Sequence, residues 1–285
     1  MVCTSGHAYT VRSGDTLFLI AQRELGDGNR WQEIMKPDGT HFTAVEAKSI
    51  QAGQELCLPQ GGNTFATILT RQIYESIFPQ RKPLYTYAAF VAAHTRFPLF
   101  CNEGTPIQRK REAAAFLAHV AHETASLYYI EEIALSRCCD PANTTYPCAP
   151  GQIYHGRGPL QISWNYNYGA AGQFLGLDLL SNPSLASTNG VISFQTALWF
   201  WMIAQLPKPS CHAIMTETWT PTSKDKNAGR IPGFGMTINI INGGSECGRP
   251  TTPAVTARVA FYEQFAKLLG VSPGNNIYCN GMAHY

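Results

Sequence analysis

Charge is scarce in this chain: Asp, Glu, Lys and Arg make up only 14% of its 285 residues and balance to +2. No long run of Lys or Arg breaks that pattern, so nucleic acid is not an expected partner. No apolar run approaches the length of a bilayer span, which argues against a membrane partner. The start, Met1-Val2-Cys3, lacks the hydrophobic stretch of a signal peptide. No CxxC or other metal-ligand spacing is present, so neither a metal nor a cofactor is expected.

What is present is an apolar fraction of 45%, enough for a globular chain of one or two domains with a full core. Nine cysteines without metal spacing read as disulfides of a secreted, extracellular protein whose start is a mature terminus. The plainer alternative is a set of buried free thiols in the cytosol. Asn143-Thr144-Thr145 is a glycosylation acceptor, in keeping with secretion.

The stretch Glu112–Glu132 organises the rest. It begins Ala-rich, without Gly or Pro, and its spacing predicts a helix over 107–126. Phe116, Val120, Glu123 and Leu127 step by four, three and four, placing a carboxylate in an apolar stripe. Burial disfavours the charged form, so Glu123 is expected to hold its proton and to serve as a general acid. Glu132 follows just past the helix end. Two carboxylates in unlike surroundings are the minimum for glycoside hydrolysis. His119 and His122 stand beside Glu123 in the order H-x-x-H-E, which differs from the zinc-binding H-E-x-x-H. They read as hydrogen-bonding support for the acid.

Residues 8–59 read as strand–helix–helix–strand: a strand at Tyr9-Thr10-Val11, helices over 17–25 and 31–35, and a closing strand at 55–59. Gly26-Asp27-Gly28 stops the first helix. So small a unit gains from a staple, and Cys3 and Cys57 sit at its two ends. Tyr9-Thr10-Val11-x-x-Gly14-Asp15-Thr16-Leu17, with Ile50-x-x-Gly53-Gln54-x-Leu56-x-Leu58-Pro59, resembles a LysM module. The resemblance implies binding of N-acetylglucosamine polymers by two loops, Gly14, Asp15, Thr16, Leu17 and Ile50, Gln51, Ala52, Gly53. Leu17 and Ile50 would cover the apolar face of a sugar. Gly14-Asp15-Thr16 equally reads as a helix-capping turn, and both roles can hold together.

Gln60-Gly61-Gly62-Asn63 reads as a short joint, which divides the chain into a LysM domain at 1–60, a linker at 61–64 and a second domain at 65–285. The second domain is mostly helical, with helices expected over 65–78, 86–97, 107–126, 191–206 and 256–270. The fourth is apolar nearly all round, so its aromatic run reads as packing, not sugar binding. Long Gly/Pro/Tyr-rich stretches at 139–170 and 207–250 read as functional loops.

The run from Cys148 to Gly169 mixes amides, hydroxyls and aromatic rings, a mixture suited to sugars. Together with Ala121-His122-Glu123-Thr124, the run Gly156-Arg-Gly-Pro-x-Gln-x-Ser163-x-Asn-Tyr-Asn-Tyr-Gly169 resembles glycoside hydrolase family 19, the lysozyme-like chitinases. Gly233 to Cys247 and Arg258-Val-Ala-Phe-Tyr262 extend that likeness over about 65–285. The implied fold is mainly α, a lysozyme-like α-helical catalytic domain behind a small α+β (βααβ) LysM domain. The resemblance makes Glu123 the acid, Glu132 the base that activates water, and Ser163 the holder of that water. His122, Gln161, Tyr166, Asn167 and Asn242 would bind substrate, and Arg258 paired with Glu246 would tune the acid. Glu131 adjoins Glu132 and competes for the base role. The close spacing of the two glutamates resembles the loop-deficient forms of the family, which implies a short cleft. The same resemblance implies disulfides Cys139–Cys148, Cys247–Cys279 and Cys101–Cys138, with Cys211 left over and Cys138 and Cys139 able to exchange partners.

The sequence therefore points to a secreted, monomeric, endo-acting, inverting chitinase whose partners are chitin and N-acetylglucosamine oligomers. A peptidoglycan hydrolase and a non-catalytic chitin-binding lectin are its rivals.

Overall fold

Two separate apolar cores organise the chain. The computed structural model describes residue 3 and residues 6–25, 28–59 and 64–285. One core gathers Val11, Leu17, Ile20, Ala21, Leu25, Ile34, Leu56 and Leu58. The other runs from Phe65 to Met282.

In the first unit, β1 (His7–Thr10) pairs antiparallel with β2 (Glu55–Leu58), Tyr9 opposite Leu56. Between them lie α1 (Leu17–Glu24) and two 3-10 segments, Gly28–Glu33 and Glu46–Lys48. The second expected helix is thus 3-10. A Cys3–Cys57 disulfide staples the unit. Closing a chain segment of 54 residues contributes about 4 kcal/mol in the chain-entropy account, useful to so small a core. Gly26 and Asp27, expected to stop α1, lie outside the described residues, as do residues 60–63 of the expected joint.

The second unit is helical: α2 (Thr64–Ile68), α3 (Arg71–Ile77), α4 (Tyr87–His94), α5 (Pro106–Thr124), α6 (Asn165–Leu175), α7 (Leu185–Thr188), α8 (Gly190–Met202), α9 (Cys211–Met215), α10 (Ser223–Asn227), α11 (Phe234–Glu246) and α12 (Pro253–Leu268). Its centre is α5. Thr105 and Gln108 form a capping box at its start and Pro106 opens its first turn. Every residue from Glu112 to Ala121 is buried, and the Ala positions let α12 and α9 pack closely against it. Phe90 stacks on Phe116 and Phe194 at 5.8 and 4.8 Å, and Trp201 meets Phe116 edge-on at 5.5 Å. The aromatic run of α8 is packing as expected, with Phe194, Trp199 and Trp201 buried.

Three expectations fail here. The helix expected over 65–78 breaks at Leu69, because the Thr70 hydroxyl accepts the Ile73 amide and starts α3 anew. All of α11 and the first half of α6 fall in stretches expected to be loops. Their glycines are packing devices: a Cβ on Gly172 would lie 2.6 Å from the Leu177 carbonyl oxygen, and one on Gly235 would lie 2.1 Å from that of Tyr278. The disulfides Cys139–Cys148 and Cys247–Cys279 form, but Cys101 and Cys138 do not pair. Cys101 is in the core, where its amide donates to Glu112 Oε2 at 2.9 Å. Cys138 sits in an outer loop, its carbonyl accepting from the Asn165 amide at 3.2 Å. One is fully buried in the core and the other part-exposed in a loop, each tied to a different element. Cys211 is free and buried.

Candidate active site and sugar groove

Glu123 occupies the last turn of α5. Phe116, Val120 and Leu127 of its stripe are fully buried, whereas the Glu123 side chain keeps 20% exposure. Leu127 is not on the helix. Ala125, Ser126 and Leu127 all take left-handed backbone, φ 47°, 60° and 63°, an uncommon run for residues with a Cβ. Thr124 holds this corner. Its hydroxyl donates to the Val120 carbonyl at 2.6 Å and accepts from the Leu127 amide at 2.7 Å, while its carbonyl accepts from the amides of Tyr128 and Tyr129. Buried Leu127 pins the far side.

A charged cluster surrounds the acid. Arg258, from α12, is 1% exposed and donates through Nη2 to Glu123 Oε1 and, at 2.8 Å, to Glu246 Oε1. Its Nε donates to Glu246 Oε2 at 2.9 Å. Burial raises the Glu123 pKa; Arg258 pulls it down and Glu246 pushes it up, and the net direction is upward. Burial also acts upward on Glu246, but hydrogen bonds and charge from Arg258, with a bond from Asn242, outweigh it and the net is downward. One carboxylate therefore stays ionised beside the arginine and the other tends to keep its proton. His119 is buried and its pKa is well below the usual range, first through burial and then through Arg258. With Arg258 Nη1 at 3.1 Å, Nδ1 must accept, so Nε2 donates to Thr237 Oγ1 at 2.9 Å, and Thr237 donates to the Phe234 carbonyl. His122 is likewise lowered, to about 4, by burial and Arg258, and so stays neutral near pH 7.

Glu132 is placed by strand-like pairing with the glycine-rich run. Its amide donates to the Gly156 carbonyl at 2.9 Å, and the Gly158 amide donates to the Ile130 carbonyl at 2.9 Å. Glu131 and Glu132 point to different uses. The Glu131 carboxylate takes His155 Nε2 and Arg157 Nε, each at 3.2 Å. Burial acts to raise Glu131, but bonds from Ser187 and His155 and the charge of Arg157 overcome it and lower the pKa. Glu132 Oε1 accepts only the Ser136 amide, at 2.9 Å, among the described hydrogen bonds.

Gln161, Ser163, Tyr166, Asn167 and Asn242 come together in one open groove of about 630 Å³. Gln161 Nε2 donates to the carbonyls of Gly158 and Ile130, and Asn167 Nδ2 to that of Ser163, so their amide oxygens are what remains for a ligand. Asn242 departs from helical geometry inside α11, with φ −142°, and its Nδ2 donates to Glu246 Oε1 at 2.8 Å. That bond links the groove to the Arg258 cluster. Glu123, Glu132 and His122 are not among the groove's lining residues.

The expected polymer-binding loops of the first unit lie side by side, since Val11 bonds to both Gly53 and Gln54. Gly14 and Gly53 take φ 86° and 87° and face open space. Thr16 caps α1, and Asp15 accepts from Tyr9 Oη at 2.6 Å and the Arg12 amide at 2.9 Å, so the capping-turn role is real. Leu17 is a correction. It is 2% exposed, within the unit's own core, and cannot cover a sugar face; Phe18 and Leu19 are the exposed apolar residues there. Ile50 is half-buried at the edge of the same core, and Gln51 and Ala52 are exposed beside it.

Sequence reasoning missed part of the groove: Trp164, Phe200, Leu206 and Lys208 also line it. Trp164 lies inside the motif that drew attention, and its exposure to solvent is the signal that a stacking role would have required. Phe200 is the one member of the α8 aromatic run that reaches the groove.

The sequence pattern of the family described as Chitinase class I matches residues 62–279, and that of the LysM domain matches residues 9–36. Endochitinase A2 of Pisum sativum is 44% identical over 239 residues, 77% of this chain and 74% of that protein. A Hevea brasiliensis protein named inactive chitinase-like protein 1 is 45% identical over 77% of this chain and 76% of its own. The crystal structure of a class IV family 19 chitinase from Zea mays superposes with a TM-score of 0.64 at 39% identity, covering 75% of this chain and 99% of that one.

Proposed function

This chain belongs to glycoside hydrolase family 19, the class I chitinases, and we propose that it cleaves β-1,4 bonds within chitin with inversion at the anomeric carbon. Family membership does not carry turnover by itself, since one relative of 45% identity bears the name inactive. The observation that carries the reading is the part-buried Glu123, raised in pKa yet 20% exposed, beside an Arg258 already paired with Glu246. Protonated Glu123 delivers its proton to the glycosidic oxygen. Glu132 takes a proton from water held by Ser163, and the water attacks the opposite face of the ring. Such a displacement calls for carboxylates roughly 6.5–9.5 Å apart. Glu131 is occupied by His155 and Arg157, which favours Glu132 as the base. Gln161, Tyr166, Asn167 and Asn242 bind the polymer, with His122 neutral beside the acid.

Residues 1–60 act as a LysM domain that keeps the polymer near the catalytic domain of 65–285, raising its local concentration. Three disulfides suit an oxidising, extracytoplasmic setting, and the enzyme works there as a monomer. The test is Glu123→Gln, assayed on N-acetylglucosamine oligomers. Hydrolysis should fall by about a thousandfold or more while oligomer binding persists. Substantial residual turnover would remove Glu123 from the acid role.

A further inference from the structure

Glu131 and Glu132 are adjacent, so whatever turns one towards the reaction must turn the other away. Residues 130–132 lie in a short ladder: the Glu132 amide donates to the Gly156 carbonyl and the Gly158 amide to the Ile130 carbonyl, each at 2.9 Å. Between those bonds Glu131 faces Arg157 in an antiparallel bridge of the non-hydrogen-bonded kind, which brings side chains closest. On its other side Arg157 bridges to Ile162, the two exchanging amide bonds at 3.2 and 3.0 Å. Arg157 is thus the middle of three segments. Glu132 follows its partner on one flank, and Ser163 follows its partner on the other. Side chains alternate between the faces of such a ladder, so Glu131 lies on the Arg157 face and Glu132 on the opposite one.

The Arg157 face is closed and fully engaged. Arg157 and His155 are 5% and 2% exposed. Arg157 Nη1 donates to the Ile153 carbonyl at 3.1 Å and to the Tyr168 hydroxyl at 2.9 Å, and Nη2 donates to His155 Nδ1 at 3.3 Å. Because Nδ1 accepts, the His155 proton sits on Nε2 and is donated to Glu131 Oε2, while Arg157 Nε donates to Oε1. Among the described ion pairs, Glu131 is the carboxylate that answers this buried cation. Sliding the 130–132 segment by one residue would exchange the faces: Glu132 would meet Arg157, and Glu131 would take the other side.

We propose that Glu131 is a positioning residue: by occupying Arg157 and His155 it fixes the register that leaves Glu132 free to act as the base, in step with Ser163. The proposal rests on Glu132 being the base. Without a carboxylate at 131, the nearest one that Arg157 can recruit along the segment is Glu132, one residue on, and a base so recruited is lost to water. A buried ion pair suits this task, since such pairs specify a pairing more than they stabilise it, and losing one member leaves an uncompensated charge. The loss appears in kcat, because the polymer is bound by other residues.

The experiment compares the full chain with Glu131→Gln and Glu131→Asp, by kinetics on N-acetylglucosamine hexamer and by hydrogen exchange of backbone amides. In Glu131→Gln, kcat should fall about twentyfold with KM within about twofold. The Glu132 and Gly158 amides should lose about tenfold or more of their protection, while those of α5 keep theirs. Glu131→Asp retains the charge and should recover about half of the native kcat or more. An unchanged kcat in Glu131→Gln, or equal losses in the two variants, overturns the proposal. So does a loss of about a thousandfold with both amides still protected, which would make Glu131 itself the base. Exchange needs no turnover. A native chain that leaves the hexamer intact removes the chitinase reading, yet lost protection at Glu132 and Gly158 still supports the register role of Glu131, and unchanged protection overturns it.

Discussion

The two halves of α5 each carry a glutamate shielded from solvent, Glu112 fully and Glu123 in part, and they treat it in opposite ways. Glu112, near the start, is fully buried and surrounded by fixed donors: the Cys101 amide at 2.9 Å, Trp201 Nε1 at 3.0 Å and His212 Nδ1 at 2.6 Å. His212 also donates through Nε2 to Glu103 at 2.8 Å. Burial alone would lower His212, but Glu112 and then Glu103 overcome it and lift its pKa to about 9, so the ring is a cation between two carboxyl groups. Glu123, at the other end, shares one arginine with Glu246, and its side chain keeps 20% exposure to solvent. Burial separates the acid from the strut only by degree. What distinguishes them is whether the carboxylate's lone pairs are already committed.

The sharpest break in that comparison is a crossover. Glu123→Gln should remove hydrolysis and leave the folding midpoint nearly untouched. Glu112→Gln should lower stability by about 3 kcal/mol, since the mutant strands the His212 cation, while the folded fraction keeps its specific activity. Denaturant melts paired with oligomer assays check both, and a stable but inactive Glu112 variant would contradict the division.

A pH effect of similar size belongs to the strut. The folded pKa of His212 lies above its unfolded value of 6.5, so its contribution is complete below that pH and is lost as pH rises through about 9. Comparison of the native chain with His212→Gln should show a stability gap of about 3 kcal/mol at pH 6 that closes largely by pH 10. A gap independent of pH would mean that His212 contributes shape and not charge.

At the acid end, Glu246→Gln should move the alkaline limb of the activity profile towards lower pH. Glu246 raises the Glu123 pKa, so its removal leaves Arg258 free to draw the proton off sooner. The two ends also differ in the thiols nearby. Cys101 and Cys211, buried near Glu112, are raised by burial and should ignore a thiol reagent in the native state, whereas part-exposed Cys138 should react. One labelled thiol native and three unfolded is the expected count.

The helix α5, its cap and the carboxylate in its apolar stripe were legible because local spacing and end signals agree there. The groove residues were legible as a family resemblance, not as geometry. Three things were hidden for identifiable reasons. α6 and α11 carry glycines that serve tertiary packing and so imitate loop composition. The choice between Glu131 and Glu132 depends on His155 and Arg157, whose approach is set by pairing across the fold. The absence of a Cys101–Cys138 disulfide follows from the depth of Cys101 in the core, which local sequence does not reveal. Leu17 misled because the first residue of α1, though next to the capping turn, points into the unit's own core.

The left-handed corner at Ala125–Leu127 has a consequence for how such a site can vary in length. Thr124 and Leu127 close off the helix end, while Glu132 takes its position from pairing with Gly156 and Gly158, not from the connection behind it. Residues inserted between the corner and Ile130 would hang outward as extra surface loop, leaving both carboxylates anchored by separate parts of the fold. Each doubling of such a loop costs only about 0.6 kcal/mol in closure entropy. The reach of the cleft can therefore be lengthened or trimmed as an independent trait, without resetting the chemistry on either side of it.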